Sequence, residues 1–366
     1  KVFQAINEIK QNSTKKNSNF FEANLILAVD SFKRKNYEKS ETYLKKSYKF
    51  INNDSVKLII LETLKQYLYI FEKNQASKIK KNFGNFSFIN EVFQRCYLDD
   101  ENTDTLFKSL INNDDEVIYS RYNFFYINYL LEKNRYEEAK VIVNNLDYLN
   151  SSLLISQGKK WIEDKKLKEF QEIFSCKNPD DIISELFFLI ANLYSSEGDY
   201  ELSNFYLNIS QYLNPKFLFN LSLLAENYYF NENYSMALKV LKLFSKKDDF
   251  YYWFRLKKEA QIISKQQNLD TSLKFINSKF KNIKKPSIKT IFDIANFHKN
   301  AKQYKMAIHY YDQVISKIDI DSPLYSEILY RRGGSYERVG DYKNSDKDLL
   351  KSLEKNPDDA YVLNYL

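Results

Sequence analysis

The sequence predicts an all-α chain built as a solenoid, in which antiparallel helix pairs stack one on the next. Three observations carry this. Hydrophobic residues make up 44% of the 366, while Gly (6) and Pro (5) are too few for the turns of an all-β chain. Apolar residues recur at helical spacing. A helix–turn–helix pattern also repeats, with starts at 184, 218, 253, 288 and 326, which are 34, 35, 35 and 38 residues apart. One such pair cannot bury its own apolar face, so each needs a copy beside it.

Ser184–Phe217 is the reference unit. Ala191 is its small residue on the first helix, with Tyr194 on the same face. Gly198-Asp199-Tyr200 breaks the pattern, and Ser203, Leu207 and Ser210 line the second helix. Small residues let the two helices approach. Gly198 and Gly340 suit a turn with positive φ. Tyr200 and Tyr342 cap the core of the pair, and Pro215 and Pro357 stop the second helix.

In chain order, Val2, Phe3, Ile6 and Ile9 share one helical face, and Gln11–Asn19 reads as a loop. A first complete pair follows at 21–54, with Ala28, the turn Asn36-Tyr37, then Ser40, Leu44 and Ser47. Val56–Phe71 is a long apolar helix, and Glu91–Tyr97 with Thr105–Ile111 forms a degenerate pair. Ser120–Leu149 restores the pattern, with Ala139 and Val143 behind its turn. Ser151–Ile183 distorts it, because Phe170 stands where a small residue belongs. Later pairs carry Ala225 and Ala237, Ala260 and Ser272, Ala295 and Ala307, and Gly333 and Ser345. The expected organisation is one continuous solenoid of about ten pairs. Residues 1–119 are its irregular part, and 120–366 is an array with units near 120, 151, 184, 218, 253, 288 and 326 and a truncated helix at 360.

The net charge of +7 is mild for this length, so it does not demand nucleic acid. The basic stretches Lys78–Lys81, Lys159–Lys168 and Lys279–Lys289 read as solvated loops. No run of about 18 apolar residues occurs, so no membrane span is expected. Cys96 and Cys176 lie far outside CxxC spacing and are too few for a disulfide framework, so buried apolar thiols are expected. The start at Lys1 without Met and the end at Leu366 inside a helix are expected to mark a trimmed or truncated chain. Bacterial cytoplasm and periplasm or envelope both stay open as compartments.

The spacing Ala191–Tyr194–Gly198–Tyr200–Ser203–Leu207–Ser210–Pro215 resembles the tetratricopeptide repeat, as does Gly333–Tyr336–Gly340–Tyr342–Ser345–Leu349–Ser352–Pro357. The segment from Ser326 to Leu366 is similar to large tetratricopeptide proteins of alphaproteobacteria. The resemblance implies a right-handed superhelix whose concave face is lined by the first helix of each pair. It implies a non-catalytic scaffold that takes a peptide segment or partner helix on that face. A subunit of a larger complex is the alternative, and an RNA-binding helical repeat a distant one.

No catalytic constellation or cofactor motif is present, so neither enzyme activity, cofactor nor metal is expected. His298 stands where the reference unit has Tyr194 and reads as a packing residue. The concave face is expected to offer Asn128, Phe188, Asn192, Glu226, Tyr229, Lys257, Gln261, Phe292, Asn296, Tyr330 and Arg331. Aromatic anchors among amides and cations suit a peptide. A carboxylate clamp known in the family would fall at Lys257, Gln261, Asp293, Glu327 and Arg331. Asp293 and Glu327 put negative charge where it needs positive or neutral groups, so chaperone-tail binding is not expected.

Overall fold

The computed structural model describes residues 2–11, 19–77, 81–112, 120–146, 152–247, 249–357 and 359–363. Of the expected loop Gln11–Asn19, Gln11 ends the first helix and residues 12–18 lie outside the described residues, as do Lys78 and Lys80 of the first basic stretch, Leu149, Ser151 and Leu366. Among the described residues every regular element is helical, and no helix is long and apolar enough to cross a membrane.

The helices are α1 (Val2–Gln11), α2 (Phe21–Lys33), α3 (Tyr37–Ser47), α4 (Ser55–Lys73), α5 (Asn85–Tyr97), α6 (Thr103–Ile111) and α7 (Ser120–Glu132). They continue as α8 (Tyr136–Asn145), α9 (Leu153–Glu163), α10 (Lys168–Ile173), α11 (Pro179–Ser196), α12 (Tyr200–Leu213), α13 (Phe219–Phe230) and α14 (Tyr234–Leu241). The last seven are α15 (Asp249–Gln266), α16 (Leu269–Phe280), α17 (Ile288–Asn300), α18 (Tyr304–Ile315), α19 (Pro323–Arg338), α20 (Tyr342–Lys355) and α21 (Ala360–Leu363). The chain divides into two compact units, 1–144 with 157–240, and 145–156 with 241–366. In the first, α2 packs on α3 and α11 on α12; in the second, α15 packs on α16, α17 on α18 and α19 on α20.

Six of the described turns between paired helices share one backbone conformation. The residue two before the second helix has positive φ: Gly198 (80°) and Gly340 (83°), but also Lys35 (59°), Asn134 (59°), Glu232 (55°) and Lys302 (58°). At several of them the side chain of the next residue caps the second helix. Asn36 accepts from the Lys39 amide (3.0 Å), Asp199 from Leu202 (3.0 Å) and Asp341 from Asn344 (3.2 Å). Several first helices begin earlier than the repeat starts suggest. Asn178 and Ser322 cap α11 and α19, and Pro179 and Pro323 open them, which extends the helices without changing the period.

The small residues do more than allow close approach. A serine on the second helix donates its hydroxyl to the carbonyl of the small residue on the first. The pairs are Ser40 to Ala28 (2.8 Å), Ser203 to Ala191 (2.7 Å), Ser272 to Ala260 (2.6 Å) and Ser345 to Gly333 (3.0 Å). All four span 12 residues. In the distorted unit the sizes are exchanged. Gly158 takes the first position and Phe170 the second, and a Cβ on Gly158 would lie 3.3 Å from the Phe170 ring. Phe170 then stacks on Phe124 (5.1 Å).

The first unit has an aromatic core in which Phe93, Phe125, Phe174 and Phe217 meet edge-on or tilted. Arg121 is buried there, bound at two points to Glu185 (2.8 and 2.5 Å) with its guanidinium 3.8 Å from the Phe188 ring centre. In the second unit Ile291, Ala295, Ala307, Tyr311, Val314 and Ile328 form one cluster, and Trp253, Leu256, Ala260, Leu273 and Ile276 another. His298 is buried, stacks on Tyr310 (5.4 Å) and meets Gln303 and Asn277 through its two ring nitrogens, as a packing residue should.

One expectation is overturned. Cys96 and Cys176 are buried but not as thiols: they form a disulfide, with Cα atoms 5.9 Å apart. The two positions, 80 residues apart in sequence, are brought together by the packing of α5 against the turn before α11.

Candidate functional site

In the first unit, the predicted groove residues divide by depth. Asn128 on α7 is 2% exposed, and its amide donates to the Phe174 carbonyl (2.6 Å). Phe188 on α11 is 4% exposed under Arg121. Both therefore serve the interior. Asn192 on α11 is exposed. Glu226 and Tyr229 on α13 are half-buried, and the Tyr229 ring lies against Phe230 and Tyr234. Burial raises the Tyr229 phenol above its ordinary pKa.

In the second unit, α15, α17 and α19 supply the rest. Lys257 pairs with Asp293 (2.9 Å), which also accepts from the Trp253 indole (2.8 Å). Gln261, one turn along α15, is exposed. Phe292 is 7% exposed and lies beneath the Arg331 guanidinium (5.5 Å). Asn296 accepts from the Tyr311 hydroxyl (2.7 Å) and from Arg331 (3.3 Å). Arg331 also pairs with Glu327 on its own helix (2.7 Å). Lys257 and Arg331 are thus each matched to a carboxylate of this chain. This is the charge arrangement that argued against a carboxylate clamp.

Tyr330 and Arg331 border a cleft of about 750 Å³. Its wall also includes Lys299 from α17, Asp321 and Ser322 before α19, and Glu327 on α19. Lys355 and Asn356 at the end of α20, then Asp359 and Tyr361, also line it. Lys355 pairs with Asp321, another wall residue (2.9 Å). Burial, and then the neighbouring Arg331 charge, hold the Lys299 ammonium below the ordinary lysine pKa. Tyr361 is 73% exposed, a large ring open to solvent. The cleft therefore offers aromatic area, an amide and both signs of charge.

Lys299, Lys355 and Tyr361 were not among the sequence-predicted residues. Lys299 sits one helical step beyond Asn296, so i, i+3 spacing along α17 points to it. Lys355 and Tyr361 come from the end of one helix and the start of another, where no periodic pattern reaches.

A sequence profile described as tetratricopeptide repeat matches residues 326–359, which span most of α19 and all of α20. No curated protein matches the chain. Many solved structures are similar, and two illustrate the low identity. The first is YrrB, titled a TPR protein with an unusual peptide-binding site, at 15% identity and TM-score 0.32, covering 55% of this chain and 96% of that one. The second is the APC/C hetero-tetramer Cut9-Hcn1, at 10% identity and TM-score 0.39, covering 94% of this chain and 68% of that one. Residues 326–359 thus form a tetratricopeptide repeat, and its pair geometry, left-handed turn and cross-helix serine bond recur in other helix pairs of the chain.

Proposed function

We propose that this chain is a non-catalytic protein-interaction scaffold, and that the cleft beside α19 holds a peptide segment of its partner. The observation that supports this most is the cleft itself. At about 750 Å³ it is large enough for several side chains, and Tyr330, Arg331, Lys299 and Asn356 give it aromatic, cationic and amide walls together. Asn192, Gln261 and the half-buried Glu226 and Tyr229 are secondary contact positions along first helices. The partner in this reading is a protein rather than nucleic acid.

The test begins with a photo-crosslinking residue at Tyr361, used to capture the partner in cells and to identify the crosslinked segment. A synthetic peptide of that segment should bind the wild-type chain and lose at least about tenfold in affinity with Tyr330→Ala. Equal binding to both would move the peptide site away from the cleft. A steep fall of affinity with salt, together with capture of RNA, would favour the nucleic-acid alternative instead.

A further inference from the structure

We infer that Cys96 and Cys176 are joined as this unit folds and stay joined, so that the chain folds and works in an oxidising compartment. They are the only two cysteines in the sequence, and the fold holds their Cα atoms 5.9 Å apart, within the span of a disulfide. Such bonds persist where the surroundings are oxidising and are kept reduced in most cytosols.

The surroundings mark a permanent crosslink rather than a reversible sensor. Cys96 is in the last turn of α5, and Cys176 is in the turn between α10 and α11. They are 2% and 4% exposed, so an attacking thiolate has no open approach to either sulfur. The turn is held on every side. Lys177 donates to the carbonyls of Cys96 (2.9 Å) and Tyr97 (2.8 Å) and pairs with Asp99 (2.8 Å). Ser175 donates its hydroxyl to Glu132 (2.9 Å) and its amide to Asp181 (3.0 Å). Asn128 grips the Phe174 carbonyl, and the Phe174 ring packs 4.5 Å from Phe125.

The chemistry needs an external disulfide donor, such as an oxidised dithiol protein. A Cys thiolate attacks one donor sulfur, and the other donor sulfur leaves as a thiolate. The second Cys thiolate then attacks the mixed disulfide and displaces the remaining donor sulfur. The two cysteines lose two electrons to the donor, and their two protons pass to solvent. Because both sulfurs end up buried, this exchange precedes closure of α5 on the turn.

The test uses the full chain from its native cells, trapped in acid, denatured and treated with N-ethylmaleimide. Without reductant the intact mass should show no added label, and after reduction it should show two. Two labels before reduction would overturn the inference. Sent to a reducing cytosol, the same chain should carry two free thiols; full oxidation there would refute the link to compartment. In a second arm, Cys96→Ser, Cys176→Ser and the double variant should each lower Tm by about 5 °C or more, with no further effect of reductant. An unchanged Tm in all three would remove the crosslink's role in stability.

Discussion

The Ser203 hydroxyl reaches the Ala191 carbonyl at 2.7 Å, from one helix of a pair to the other. The same bond recurs from Ser345 to Gly333, but the two serines differ in their other contacts. Ser203 also accepts from the Asn227 amide (2.7 Å) on the next helix, so it joins three helices. Ser203→Ala should therefore cost more than Ser345→Ala, about 1–2 kcal/mol against about 1 kcal/mol or less. Urea unfolding of the two variants checks the order. Equal losses would mean that the Asn227 contact contributes nothing.

Gly158 and Phe170 are matched in size, and this makes them non-additive. Gly158→Ala places a methyl 3.3 Å from both Phe124 and Phe170, and overpacking of this kind costs about 1–3 kcal/mol. Phe170→Ala removes a fully buried ring and should cost about 3–5 kcal/mol. In the Phe170→Ala background, adding Gly158→Ala should cost nothing or restore some stability, because the methyl enters the vacated space. A double-mutant cycle reads the coupling directly.

The turn residues Gly198 and Glu232 share one backbone conformation, with φ of 80° and 55°. Nothing lies within 4 Å of a Cβ built on Gly198, so Gly198→Ala should lose about 1 kcal/mol through the backbone alone. The reverse change, Glu232→Gly, should be neutral or gain up to about 1 kcal/mol. Gly333→Ala should destabilise for another reason, since its methyl would lie 3.0 Å from Leu349. Shortening Leu349 to Ala should offset part of the Gly333→Ala loss and none of the Gly198→Ala loss.

Burial raises the Asp181 carboxyl from its ordinary 3.8 to about 6, against the opposing Ser175 amide bond. Between about pH 4 and pH 6 the native chain thus holds a proton that the unfolded chain has released. This contribution is present below about pH 4 and is lost as pH rises to about 6, a change of up to about 3 kcal/mol. Glu132 is also raised by burial and acts in the same direction, whereas Asp104, lowered to about 2, loses its contribution only in stronger acid. Asp181→Asn keeps an oxygen for the Ser175 amide and should flatten part of the slope. Urea midpoints measured every half pH unit from 4 to 7 would show it; parallel curves would contradict it.

The sequence by itself determined the helix pairs, their period and their turns. Those features are local: helical spacing sets which residues share a face, and Gly198-Asp199-Tyr200 needs no distant contact to make its turn. It also placed Asn296, Tyr330 and Arg331 on first helices. Depth was another matter. Asn128, Phe188 and Phe292 have the spacing of groove residues yet are buried, because how far a helix face is covered depends on what packs against it. Tertiary structure alone paired Gly158 with Phe170, carried Lys355 and Tyr361 to one cleft, and brought Cys96 to Cys176. Each of these joins residues whose contact no period records, and only the packing of separate helices brings them within reach.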